Sequence, residues 1–224
     1  MLIDLDVVFA DATAAIGVPA DESVRTVSDL VPLGEEVAPR HVEDVLWRHP
    51  SGFGVLLAPG DELGAIEVRG RHVRAVVAAA KQTCDVIVLH VPRGLDEVAR
   101  TGLEIADRVV LVLGLDVLSF RDAKRAIAVA DLEDRCSFVV NRARRAEVTP
   151  ADVERVFGTQ ALAVIPSDRA AAAAQDGGRL LPMRGRVGRS IDRLARRVME
   201  LESGEAQVAD VGRAARMRRG RESR

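Results

Sequence analysis

The runs Asp85-Val86-Ile87-Val88-Leu89 and Val109-Val110-Leu111-Val112-Leu113 stay apolar through consecutive positions instead of alternating. A strand with one wet face alternates. An unbroken apolar strand is covered on both faces, which is the situation of a parallel sheet between helical layers. Further short apolar runs fall at 2–8, 53–58, 136–141 and 161–166, giving, with 85–91 and 108–114, a set of strand candidates. Helical periodicity occupies 66–82, 95–106, 117–132, 150–157, 168–176 and 186–202, and two shorter helices are predicted near 24–31 and 40–48. Strands alternating with helices imply right-handed crossovers and a three-layer α/β/α fold with a mostly parallel sheet. Local signals agree: Thr149 is a good N-cap with Pro150 at the first helical position, and Gly177-Gly178 is a natural helix stop.

The 224 residues read as one domain over 1–202 and a basic, disordered tail over 203–224. Net charge is −2, so nothing in the overall balance draws the chain to nucleic acid or an anionic membrane. Aromatic content is 3% without tyrosine, which disfavours stacking platforms for single strands. The two cysteines, Cys84 and Cys136, read as free thiols of a reducing, cytoplasmic compartment and do not make a metal site. The tail carries Arg213, Arg216, Arg218, Arg219, Arg221 and Arg224 against Glu222 alone. It solubilises, with weak nonspecific contact to DNA or an anionic membrane as the further use of such a segment.

Chemistry-bearing residues gather at the predicted carboxyl ends of strands, where ligands bind in open α/β sheets. Asp4 and Asp6 lie two residues apart on the first strand, so both point to one side of it, and Asp11 follows. A carboxylate there orients a water or holds a magnesium ion through its water shell; two solvated acids at a strand edge is the plainer reading. After the third run comes His90-Val91-Pro92-Arg93-Gly94, where Pro92 and Gly94 force a tight turn. Asn141-Arg142 follows the strand at 136–140; its amide either pairs with a purine edge or simply forms a turn. Pro166 and Asp168 open the next helix, for which Asp168 is a sufficient N-cap.

Taken in order, these segments resemble the MinD/ParA group of deviant P-loop ATPases, especially its CpaE/TadZ-like branch. Leu2-Ile3-Asp4-Leu5-Asp6 through Asp11 is similar to that family's second strand and first switch. Gly52 to Pro59 is similar to its next core strand, and His90-Val91-Pro92-Arg93-Gly94-Leu95 sits where it carries Asp-[ST]-Pro-x-Gly. Ala106 to Val112 and Ser119 to Arg125 resemble the strand and helix that follow. Val140-Asn141-Arg142 resembles the adenine-reading turn, and Val164 to Asp168 with Gly177-Gly178-Arg179 resembles the closing segment.

The resemblance implies ATP and Mg2+ as cofactors, with Asp6 orienting the attacking water and Asp4 shaping the switch. It implies that Asp11 belongs to the first switch, that the Pro92–Gly94 turn senses the γ-phosphate, and that Asn141, Arg142, Pro166 and Asp168 surround the base. It also implies a homodimer, partners in a pilus or division apparatus, and a cytoplasmic protein with peripheral contact at the inner face of the membrane. Two departures matter. The Lys-Gly-Gly-x-Gly-Lys-[ST] loop occurs nowhere in the 224 residues. That loop supplies the backbone nest, the phosphate lysine and the magnesium-binding hydroxyl. The second-switch aspartate is His90, which cannot accept from magnesium-bound waters. The strand feeding that loop is internal to such a sheet, so the expectation is that an upstream strand and loop precede Met1 in the full protein. For the chain as it stands the expectation is a catalytically impaired ATP-binding positional switch. A nucleotide-free scaffold of the same fold, binding through the 95–130 helices, is the alternative.

Overall fold

A computed structural model describes residues 1–19, 24–144 and 146–202. The described residues divide into two compact units: those within 1–109, 129–135 and 172–180 form the first, and those within 110–128, 136–171 and 181–202 form the second.

The first unit is built on strands β1 (Leu2–Asp4), β2 (Trp47–Arg48), β3 (Gly54–Leu56) and β4 (Val88–His90), in the order β2-β3-β1-β4. β1 runs parallel to both β3 and β4, with Leu2 opposite Val55 and Val88 and with Asp4 opposite His90; β2 is antiparallel to β3. Its helices are α1 (Asp11–Ala15), a 3-10 helix (Val27–Glu36), α2 (Pro39–Val45), α3 (Glu62–Glu67), α4 (Gly70–Ala80) and α5 (Glu97–Ile105). Ile3, Leu5, Leu56, Val73, Val76 and Val98 lie in one buried cluster. Helix α4 packs against α5, and Gly70 permits the approach: a Cβ there would stand 2.4 Å from Thr101 Oγ1.

The second unit holds β5 (Val109–Leu113, its first residue belonging to the first unit), β6 (Cys136–Ala143) and β7 (Ala163–Pro166), in that order. β6 and β7 are parallel, Val139 facing Ala163. The helices are α6 (Val117–Ala130), α7 (Ala151–Phe157), α8 (Arg169–Asp176) and α9 (Arg186–Glu202), of which α6 and α8 each run on into residues of the first unit. Phe138 stacks on Phe157 at 4.3 Å between ring centroids, within a core that includes Leu113, Phe120, Val140 and Val153. Helix α9 packs on β7, and Arg197 donates to Leu162 O at 2.7 Å.

Every strand read from the sequence is present, mostly shorter. β1 stops at Asp4 because the Asp4 carboxylate accepts from the Asp6 amide at 3.1 Å and turns the chain; Leu5 N still reaches His90 O at 2.9 Å. The helix predicted over 66–82 is two helices. Val68 is extended and buried, and His72 Nδ1 accepts from Arg69 N to start α4 afresh. The helix expected at 40–48 ends at Val45, freeing Trp47 and Arg48 to pair with β3. The helix near 24–31 is a 3-10 segment, capped by Thr26 and Asp29 in a reciprocal box and broken at Gly34. α7 begins at Ala151 with Pro150 at the cap, so Thr149 is not the capping side chain; Asp152 Oδ2 instead accepts from both Thr149 N and Oγ1. Full coverage of both faces does not hold for the two unbroken apolar runs: Val88 is 56% and Val112 63% exposed. Residues 203–224, read as a tail, lie outside the described residues.

Candidate functional site

The carboxyl ends of β1 and β4 carry the strongest candidate chemistry. Asp4 ends β1 and is 0% exposed; its Oδ1 accepts from the His90 ring at 2.7 Å and from the Asp6 amide. Among the described residues its Oδ2 has no hydrogen-bond partner. Burying such an atom carries a real desolvation cost. Sites that keep an unmet acceptor do so where a ligand, ion or water completes it.

The His90 side chain is 46% exposed. Its pKa is raised, first because the ring hydrogen-bonds Asp4; burial pulls the other way, and the charges of Asp4, Asp6 and Asp11 add to the rise. Asp6 is also buried, past the end of β1, and its Oδ1 accepts from Phe9 N at 3.2 Å. The chain then turns through Ala10, at φ 52°, into α1, whose first residue is Asp11. Sequence periodicity gave no sign of that helix. The Pro92–Gly94 turn follows β4, and Asp96 restarts the chain as the N-cap of α5, accepting from Ala99 N at 2.8 Å. The structure therefore brings Asp4, Asp6 and His90 together.

Asn141, Arg142, Pro166 and Asp168 lie in the second unit. Asn141 spends its side-chain oxygen on the neighbouring Arg142 amide at 2.8 Å, and Arg142 adopts φ 52° where the β6–β7 register shifts. That is the local turn-forming use of an asparagine. Asp168 Oδ1 accepts from Ala170 N at 2.8 Å and so caps α8. Pro166 lines a concavity of about 620 Å³, shared with Ala143 and Arg144 and walled by α9. The arginines of that wall are functional candidates that the strand-end reading missed. Their signal in the sequence is the spacing of Arg186, Arg189 and Arg193 along one helix face.

A magnesium nucleotide is the group the resemblance implies. The spare Oδ2 of Asp4 is the one feature that fits it. Against that, the other oxygen of the same carboxylate is taken by His90. The described residues contain no group of three His, Cys, Asp or Glu side chains able to hold a metal ion. The sequence also offers no glycine-rich loop with a lysine and a following hydroxyl. Residues 1–224 by themselves do not fit magnesium and a phosphate chain.

No family model matches the chain. A curated relative, the septum site-determining protein MinD of Thermotoga maritima, is 23% identical over 210 residues, 88% of this chain and 75% of that protein. The solved Pyrococcus furiosus cell division ATPase MinD superposes with a TM-score of 0.76 at 24% identity, covering 89% of this chain and 85% of the other. Pyrococcus horikoshii MinD, solved with Mg-ADP, gives 0.76 at 20% identity over 91% and 84%. The fold is that of the MinD/ParA P-loop ATPases. It is three-layered, α/β/α, with mostly parallel sheets, as the sequence led one to expect. Among the described residues no helix is long and apolar enough to cross a membrane.

Proposed function

We propose that this chain is a MinD/ParA-type positional protein whose residues 1–224 bind no magnesium nucleotide productively and turn over no ATP. The fold and the MinD likeness support the positional role. One observation carries the second half: the buried Asp4 carboxylate, at the carboxyl end of β1, is engaged by His90 across the ladder. A cationic imidazole at that point opposes a divalent cation, and the missing cradle would have supplied most of the electrostatic stabilisation of phosphoryl transfer. In the site as proposed, Asp6 would hold a water and Asp4 would fix the loop that carries it. The ordered motifs support a place beside the CpaE/TadZ-like branch, with a pilus, septum or chromosome apparatus as the setting and a homodimer as the working form.

The test is phosphate release from ATP with magnesium by the purified chain, alongside binding of a fluorescent ATP analogue. Release at the level of the protein-free blank is the expected result. Turnover that disappears in Asp6→Ala overturns the proposal. A nucleotide-free scaffold is the second reading, and the same Asp4–His90 pair favours it. Val117 and Leu118, exposed at the start of α6, then become the first residues to change in a partner-binding screen.

A further inference from the structure

Strand β2 closes one side of the first unit's sheet: it is bonded to β3 and, among the described residues, to no other strand. His49 N donates to Phe53 O at 3.0 Å, and Arg48 stands opposite Gly54 in the adjacent pair. Bonded and non-bonded pairs alternate along an antiparallel ladder, so Arg48 turns its own amide and carbonyl to the open edge. An edge of that kind is a template for an added strand.

The same two residues line a concavity of about 500 Å³, whose whole lining belongs to the first unit. His49 continues that wall; Ile16, just past α1, and Arg179 and Leu180, just past α8, contribute to the rest. Among the described residues the lining has no carboxylate, and neither Arg48 nor Arg179 forms an ion pair. His49 Nδ1 accepts from Ser51 N at 2.9 Å, which places the ring hydrogen on Nε2 as a donor. The indole N–H of Trp47 can only donate. Trp47 meets His49 edge-on at 5.6 Å between centroids, and His49 stacks on Phe53 at 4.7 Å, so the aromatic wall is set before any ligand arrives.

We propose that this edge takes up a short acidic segment of a partner protein, which adds to β2 as a strand, sets carboxylates on Arg48 and Arg179, and lays an apolar side chain on Trp47. Guanidinium forks match carboxylate oxygens in pairs, and two arginines without acidic partners call for negative charge. Side chains alternate between faces along a strand, so Trp47 and Arg48 point to opposite faces. A segment in which acidic and apolar residues alternate therefore matches both at once. A basic segment would leave the arginines repelled. A duplex or a bilayer has no amide to donate to the Arg48 carbonyl. A free carboxylate would satisfy the arginines but leave the outward backbone groups of Arg48 to water.

The test is titration of the full chain with the acetylated, amidated peptide Glu-Val-Glu-Val-Glu, read by the fluorescence of Trp47, the single tryptophan. One saturable site is expected. The double variant Arg48→Gln/Arg179→Gln should weaken it at least roughly tenfold, the loss expected when charge-assisted hydrogen bonds are removed. The variant Arg40→Gln/Arg100→Gln removes the same charge from exposed positions of the same unit outside the lining and should leave affinity unchanged. The same peptide N-methylated throughout keeps its carboxylates but cannot donate to the Arg48 carbonyl, and should also bind at least roughly tenfold more weakly. The substituted arginines are exposed, and a thermal melt confirms folding. Absence of saturable binding overturns the proposal, as does equal weakening in the control variant or undiminished affinity for the methylated peptide. Glutarate binding as tightly as the peptide also overturns it and assigns the pocket to a free dicarboxylate. Equal binding of Lys-Val-Lys-Val-Lys overturns it by removing the arginines from recognition.

Discussion

His90 on β4 and Asp4 on β1 stand opposite each other in the parallel ladder and are joined by a 2.7 Å contact from Nδ1 to Oδ1. One partner is sealed from water and the other is half in it. Proton uptake at the wet residue therefore reaches a carboxylate that solvent does not touch.

Stability should follow that proton. His90 has a raised pKa in the folded state, so protonation favours folding. The contribution is complete below the unfolded value of about 6.5 and fades as pH climbs through the higher folded value. Urea unfolding followed by the single tryptophan, Trp47 in the first unit, should show more stability at about pH 6 than at about pH 8.5. Because His90 is half exposed, the difference should not exceed about 1 kcal/mol. His90→Gln should abolish it; an unchanged pH difference in that variant would show that other groups carry it.

Asp4→Ala should be costly. It strips the Asp6 amide of its acceptor and His90 of its counterion inside the core. The unpaired buried amide alone costs about 1–3 kcal/mol. Asp4→Asn keeps an oxygen for that amide and should lose less, so the order of urea midpoints is wild type, then Asn, then Ala.

Gly17→Ala and Gly34→Ala separate crowding from backbone strain. Both glycines have positive φ, at 74° and 54°. A Cβ on Gly17 would lie 2.1 Å from Gly178 O, whereas one on Gly34 meets nothing within 4 Å. Gly34 pairs its positive φ with ψ −121°, outside the left-handed helical region, and Gly34→Ala should cost about 1–3 kcal/mol from conformation alone. Gly17→Ala should cost about 1–3 kcal/mol more, since backbone must move. Equal losses would mean that the Gly17–Gly178 approach relaxes freely.

Phe138→Ala should destabilise the second unit by about 3–5 kcal/mol, as truncating a buried aromatic does. Phe138 is buried and stacks on Phe157. Near-ultraviolet circular dichroism and thermal melting would register the loss.

Much of this was visible in the residues. Unbroken apolar runs and alternating helical periods gave the strands, their parallel pairing and the fold class. The carboxyl-end rule led to Asp4, Asp6 and His90, because all three close apolar runs. What stayed hidden depended on side chains meeting across the chain. The break at Val68 needs His72 to cap Arg69, a bond that periodicity does not encode. Strand β2 exists because β3 offers Trp47 and Arg48 a ladder. The Asp4–His90 link joins residues 86 positions apart and becomes visible only once β1 lies against β4. The arginine wall was passed over because arginines on a terminal helix read as solvated charge until Ala143 and Pro166 are seen beneath them.

β4 closes the order of its sheet: it is bonded to β1 on one side, shows no partner strand on the other among the described residues, and turns Val88 outward. In a concentrated preparation those outer amides and carbonyls are a ready template for any extended segment that drifts past, including one from a neighbouring molecule. Turbidity in storage should therefore rise with protein concentration more than with temperature. A lysine in place of Val88 should clear it.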